Sequence, residues 1–206
     1  MKALIPFAAC AVLTLSACGE SVQPEAALDG AWVLDADASR VNFVTVKAGQ
    51  VAESHRFPGL SGNVTAAGGA ELVIDLASVD TAVDIRNERM QEFLFEVAQF
   101  PAATISASVD PAAFSALASG DSVTQTVDLS VDLHGMQSTM PADLVITRTG
   151  ADTVLVETAK PLIVSAATFG LDGGVEQLRE LATLDSITGQ VPVDVSLTFA
   201  REAVEE

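Results

Sequence analysis

The sequence predicts an all-β domain: an antiparallel barrel of about eight strands with one or two short helices beside it. Two runs carry that expectation most strongly. Val127, Leu129, Val131 and Leu133 alternate with Asp128, Ser130, Asp132 and His134, and Val191, Val193, Val195, Leu197 and Phe199 alternate with Pro192, Asp194, Ser196 and Thr198. A period of two puts one face of a strand inside and the other in water, as antiparallel strands do. Gly, Asp, Ser and Pro clusters punctuate the chain between such runs, and seven or eight strands at short spacing avoid exposed edges best by closing on themselves.

From the N-terminus, Met1-Lys2 precedes an apolar run that reaches Ala17-Cys18. A basic start, a short apolar stretch and small residues at a cleavage site mark a secretory signal over residues 1–17. About fifteen apolar residues are too few for a membrane span, which needs about 20. Leu15-Ser16-Ala17-Cys18 resembles the bacterial lipobox, in which the cysteine is acylated and becomes the first mature residue. That resemblance implies a lipoprotein of the bacterial envelope, anchored through Cys18. Gly19 after the cysteine points to the outer membrane by resemblance to enteric sorting rules, with the domain facing the periplasm.

Cleavage before Cys18 leaves 189 residues with one cysteine, because Cys10 departs with the signal. A disulfide and a thiolate metal site are both excluded on that count, so stability must come from a core. With Lys2 removed, nine bases face 28 acids, a mature charge of about −19. Such a surface repels phosphate backbones and anionic headgroups, which excludes nucleic acid as a partner and leaves membrane attachment to the acyl chains. Residues 18–30 read as the acylated cysteine and a tether, residues 31–200 as the barrel domain, and residues 201–206 as an acidic tail.

Within the barrel, ordered structure is expected to begin at Trp32. Weaker alternation marks strands in Val41 to Val46, Leu72 to Val79, Ile105 to Val109, Leu144 to Ile146 and Val154 to Val164. Two stretches break the period. Between Asp84 and Val97, the residues Met90, Phe93, Leu94 and Val97 fall on one helical face, Thr81-x-x-Asp84 can cap its start, and Pro101 prevents its continuation. A second, shorter helix over Gly174 to Leu184 would use Asp172 as a cap, with Gly173-Gly174 read as a turn.

Little else points to chemistry. The chain has two histidines, His55 and His134, with no His-x-x-x-His or Glu-x-x-His pairing. His55 sits in a loop-like Glu-Ser-His-Arg segment and His134 beside a turn, so both read as exposed or edge histidines, and no metal site is expected. No serine has a Gly-x-Ser-x-Gly setting and no phosphate-binding glycine loop is present. No catalytic residue emerges, and an envelope hydrolase is disfavoured.

Arg86 is the exception. On a helical wheel it falls near the middle of the face made by Met90, Phe93, Leu94 and Val97, with Arg89 at its border. Both lie near the helix end whose free N–H groups favour anions. The pair could supply donors for the polar head of an otherwise apolar ligand. Alternatively, Arg86 snorkels from the first turn or pairs with Asp80 or Asp84.

Several segments resemble the YceI-like family in order and spacing: Ala77-Ser78-Val79-Asp80-Thr81, Ile85-Arg86-Asn87, Phe93-Leu94-Phe95 and Gln99-Phe100-Pro101. Trp32 to Phe43 resembles the family's opening strand, Leu133-His134-Gly135 its hairpin, and Phe169-Gly170-Leu171 its late Phe-Gly element. The resemblance implies a lipocalin-like barrel whose apolar cavity takes a polyisoprenoid or isoprenoid-quinone chain, with no catalysis and no cofactor beyond the lipid. Arg86, Arg89, Phe43, Met90, Phe93, Phe95 and Phe169 are the expected ligand-binding residues. Where the family has a Thr-Lys-Pro-like segment after the turn, this chain has Ser138-Thr139-Met140, and the missing lysine favours a neutral, quinone-like ligand over a diphosphate. The competing expectation is a non-catalytic envelope structural or stress protein, its barrel filled by side chains and its acidic surface meeting a protein partner.

Overall fold

The computed structural model describes residues 26–202; the signal segment, Cys18, the first part of the tether and the end of the acidic tail lie outside the described residues. Ten strands follow in order: β1 (Trp32–Lys47), β2 (Val51–Phe57), β3 (Leu60–Val64), β4 (Gly69–Asp75), β5 (Ala102–Ser108), β6 (Ser122–Leu133), β7 (Met136–Gly150), β8 (Thr153–Thr158), β9 (Leu162–Ser165) and β10 (Gln190–Arg201). They build a closed antiparallel barrel of eight staves. β1, β3, β4, β5, β6, β7, β8 and β10 pair in that order, and β10 returns to β1. β2 and β9 extend the wall at one end, where they flank β1 and β10. Pro58-Gly59 separates β2 from β3, and Pro161 comes just before β9.

The strongest alternation in the sequence becomes the strands β6 and β10, with Val127, Leu129, Val131, Leu197 and Phe199 buried. Leu133 and Met136 pair across a two-residue turn in which His134 (φ 55°) and Gly135 (φ 72°) both take positive φ. That geometry matches the right-handed twist of the flanking strands. A Cβ at Gly135 would lie 2.9 Å from the Phe100 ring, so glycine is required there for space as well.

The end of the barrel where β1 begins is plugged. Leu28 and Phe114 are buried, Leu28 N–H donates to the Ser115 carbonyl at 3.0 Å, and Arg201 lies over the Trp32 ring at 5.0 Å. Of residues 26–30, assigned by sequence to the tether, Leu28 is packed into this plug while its four neighbours are exposed. Arg148, 1% exposed, donates to the carbonyls of Ala26, Leu117, Gly150 and Ala151, sewing this plug together.

Helices cover the opposite end. α1 (Asp84–Arg89) runs directly into a π-helical turn, Met90–Leu94, so the helix stops short of the expected Val97. Pro101 is not what ends it: Phe95 N–H closes the wide turn on the Met90 carbonyl at 2.9 Å and Glu96 then takes φ 48°. Thr81 does not cap the helix as the sequence predicted. Its hydroxyl donates to Asn87 Oδ1 at 2.6 Å instead, and Val83 at the N-cap gives no side-chain bond. α2 (Asp172–Leu181) likewise begins without a side-chain cap, with Asp172 inside its first turn. Gly173-Gly174 belongs to this helix rather than to a turn. A Cβ on Gly174 would lie 2.5 Å from the Phe93 carbonyl, so its absence lets α2 lie directly on the π turn.

Candidate functional site

Inside the barrel the side chains leave a cavity of about 600 Å³, walled almost wholly by apolar groups. Small residues account for much of the space. Ala70 and Ala107 face each other in register across β4 and β5, and both line the cavity. The barrel is therefore not filled by its own side chains, contrary to the competing structural reading. An apolar wall offers water few partners, so an apolar guest suits the space best.

Polarity rises toward the helical end. The inward positions of β1 read Val41, Phe43, Thr45, Lys47, and those of β2 read Phe57, His55, Glu53. Thr45 stands opposite Glu53 and Phe43 opposite His55 in the ladder. Val83 and Ile85 line the cavity yet are 43% and 53% exposed, so the space reaches solvent beside α1.

At this mouth Glu53 accepts from both Lys47 (2.7 Å) and Arg86 (2.9 Å). The Lys47 hydrogen bond, and then the one from Arg86, hold the Glu53 carboxyl below the usual glutamate pKa. Arg86 also donates to the Thr81 carbonyl at 2.6 Å. It thus pairs with neither Asp80 nor Asp84, the alternative that the sequence left open; Asp80 is taken by Arg56 at 2.8 Å. Arg89 donates to the Leu181 carbonyl at 3.3 Å, tying α1 to the end of α2.

His55 is 4% exposed, not the surface residue its loop-like neighbours implied. Its Nε2 lies 2.9 Å from Thr45 Oγ1, and its ring packs on Phe43 at 5.2 Å. Burial, with the Arg86 guanidinium beside it, lowers its pKa and favours the neutral imidazole. Two buried polar atoms here have no hydrogen-bond partner, His55 Nδ1 and Arg86 Nε. His134, by contrast, is a structural group: Nε2 meets Glu96 at 2.9 Å, and its ring lies 4.4 Å from that of Phe100.

Of the residues singled out from the sequence, Arg86, Arg89, Phe43, Met90 and Phe95 converge on this cavity. Phe93 and Phe169 do not. The π turn closes on i→i+5 bonds and so rotates less than 100° per residue, which shifts the inward positions to Leu94 and Phe95 and leaves Phe93 off the cavity. Phe169, 0% exposed, does not line the cavity; it belongs to a buried cluster that includes Val127, Leu129 and Val131 of β6. Sequence reasoning missed Thr45, Lys47, Glu53 and His55. The signal was present as period-two spacing in Glu53, His55 and Phe57, but polar residues occupied the inward phase.

Among the described residues no group of three or more His, Cys, Asp or Glu could hold a metal, and no helix is long and apolar enough to cross a membrane. The model of the YceI-like domain matches residues 32–199. A polyisoprenoid-binding domain from Saccharophagus degradans, implicated in plant cell wall breakdown, is 43% identical, with a TM-score of 0.82 over 83% of this chain and 98% of that one. BcnA of Burkholderia cenocepacia shares the fold at 22% identity and a TM-score of 0.63, over 80% of this chain and 98% of its own. No curated protein matches the chain.

Proposed function

The chain belongs to the YceI-like family, and from that membership we propose that it is a non-catalytic binding protein that carries or sequesters a polyisoprenoid or isoprenoid-quinone lipid in its barrel. The single observation that carries this reading is the apolar cavity of about 600 Å³, open at one polar mouth. Burying a prenyl chain there contributes about 0.8 kcal/mol per CH₂. The Saccharophagus degradans domain, 43% identical, supports the same ligand class. The chain's tail runs toward the plugged end and its head stays at the mouth, beside Arg86 and Arg89, with Phe43, Met90 and Phe95 around it. Native mass spectrometry of the protein released from its own host membranes tests this: a bound mass matching a prenyl lipid is expected, and lipid-free protein refutes it.

The protein is further proposed to be a periplasm-facing lipoprotein of the outer membrane, held by acyl chains on Cys18. Two or three chains anchor stably where one is marginal, and the acidic surface offers no electrostatic substitute. Cys18→Ser should leave an unacylated protein in the soluble fraction. Its retention on membranes in high salt would contradict the anchor.

A further inference from the structure

Every polar atom buried in a folded protein carries a cost unless a partner meets it, and native structures leave few such atoms unmet. Here two occur on residues that line one cavity near its mouth, His55 Nδ1 and Arg86 Nε. The rest of both side chains is engaged: His55 Nε2 with Thr45 Oγ1, and Arg86 Nη1 and Nη2 with Glu53 and the Thr81 carbonyl. Those contacts hold the imidazole and the guanidinium in place, so the two free atoms are fixed in direction. Building on the reading of the barrel as an isoprenoid carrier, we propose that His55 Nδ1 and Arg86 Nε form a head-group subsite for an uncharged oxygen, a hydroxyl or a carbonyl, at the end of the prenyl chain.

The chemistry follows from the donor inventory. Arg86 Nε–H can only donate. His55 accepts at Nδ1 when Nε2–H donates to Thr45, and donates at Nδ1 when the Thr45 hydroxyl donates to Nε2. An alcohol or phenol head therefore accepts from Arg86 and donates to His55, whereas a carbonyl head accepts from either. Thr45, able to donate or accept, lets one site serve both. A diphosphate fits poorly. Glu53 already neutralises Lys47 and Arg86 at 2.7 and 2.9 Å, and its carboxylate would face the incoming negative charge. Two unmet atoms also suit a small polar head better than the six or seven oxygens of a diphosphate.

The test uses the delipidated full chain and three C20 probes: geranylgeraniol, the hydrocarbon lacking its hydroxyl, and geranylgeranyl diphosphate. Wild type should bind the alcohol about tenfold more tightly than the hydrocarbon, the factor that 1.4 kcal/mol makes, and the diphosphate more weakly than the alcohol. His55→Leu should collapse the alcohol-to-hydrocarbon ratio toward one. Arg86→Lys, which keeps a cation for Glu53 but has no Nε–H, should do the same and guards against misfolding of the first variant. Ratios unchanged in both variants, with the hydrocarbon still bound, overturn the subsite alone and leave only water on these atoms. Preference for the diphosphate also overturns it. Wild type that binds not even the hydrocarbon overturns the carrier reading and the subsite together.

Discussion

Ala107→Phe puts a ring where two alanines now face each other across β4 and β5. Ala70 gives the ring room, so the substitution fills part of the cavity rather than crowding a packed core. Filling a cavity commonly adds about 0.5–2 kcal/mol. At about 2–4 °C per kcal/mol for a domain of this size, the delipidated variant should melt roughly 1–8 °C above delipidated wild type. The same ring takes the place of about five chain carbons. At about 0.8 kcal/mol each, a long prenyl ligand loses roughly 4 kcal/mol of binding, or about a thousandfold in affinity. Differential scanning calorimetry and titration with geranylgeraniol measure the two effects on one sample. Higher stability with lost binding is the predicted signature. Unchanged affinity would refute the placement of the chain inside the barrel, and a lower melting temperature would refute the account of the cavity as unfilled space.

Other substitutions probe the frame. Gly174→Val should cost about 1–3 kcal/mol by overpacking, because its side chain would begin 2.5 Å from the Phe93 carbonyl; thermal melting showing no loss would contradict the close contact of α2 with the π turn. Arg148→Met strips donors from four carbonyls at the plugged end. Water can reach the carbonyls of the exposed Ala26 and Ala151, so at about 1–3 kcal/mol for each of the other two left unmet, a loss of about 2–6 kcal/mol in urea unfolding is expected. Acid should weaken the fold in two stages. The lowered pKa of His55 means that the unfolded chain takes up a proton near 6.5 before the folded one does. Stability should therefore be level above that pH and fall below it, and His55→Leu should remove this first loss. Glu53, also lowered, adds a second loss only through the carboxylate range. Equal losses between pH 7 and 5.5 in both proteins would contradict the buried neutral imidazole.

Which features the sequence revealed depended on whether polarity reported direction. In β6 and β10 it did: apolar residues face in, polar ones out, and both strands are legible from spacing alone. In β2 the code is inverted near the mouth, where Glu53 and His55 point inward and Ala52 and Ser54 point out. A strand read by hydrophobicity then looks like a loop. Arg86, ahead of the π turn, lines the cavity, whereas Phe93, within it, does not, and a helical wheel cannot foresee the turn. The plug escaped notice for another reason. Leu28 is a single apolar residue in a polar stretch, and Arg148 sits in a β7 segment whose buried partners are backbone carbonyls, which leave no trace in side-chain identity.

Whether the interior of the barrel holds a prenyl chain can be read by photolabelling. A C20 prenyl alcohol with a diazirine near its tail, bound to delipidated protein and irradiated, marks the residues that the chain touches. The account predicts saturable labelling of inward residues far from the mouth, such as Ala107, Leu129 and Phe114, competed away by unlabelled geranylgeraniol. Labels confined to exposed apolar residues such as Val33 and Ile163, with the interior unmarked, would contradict it.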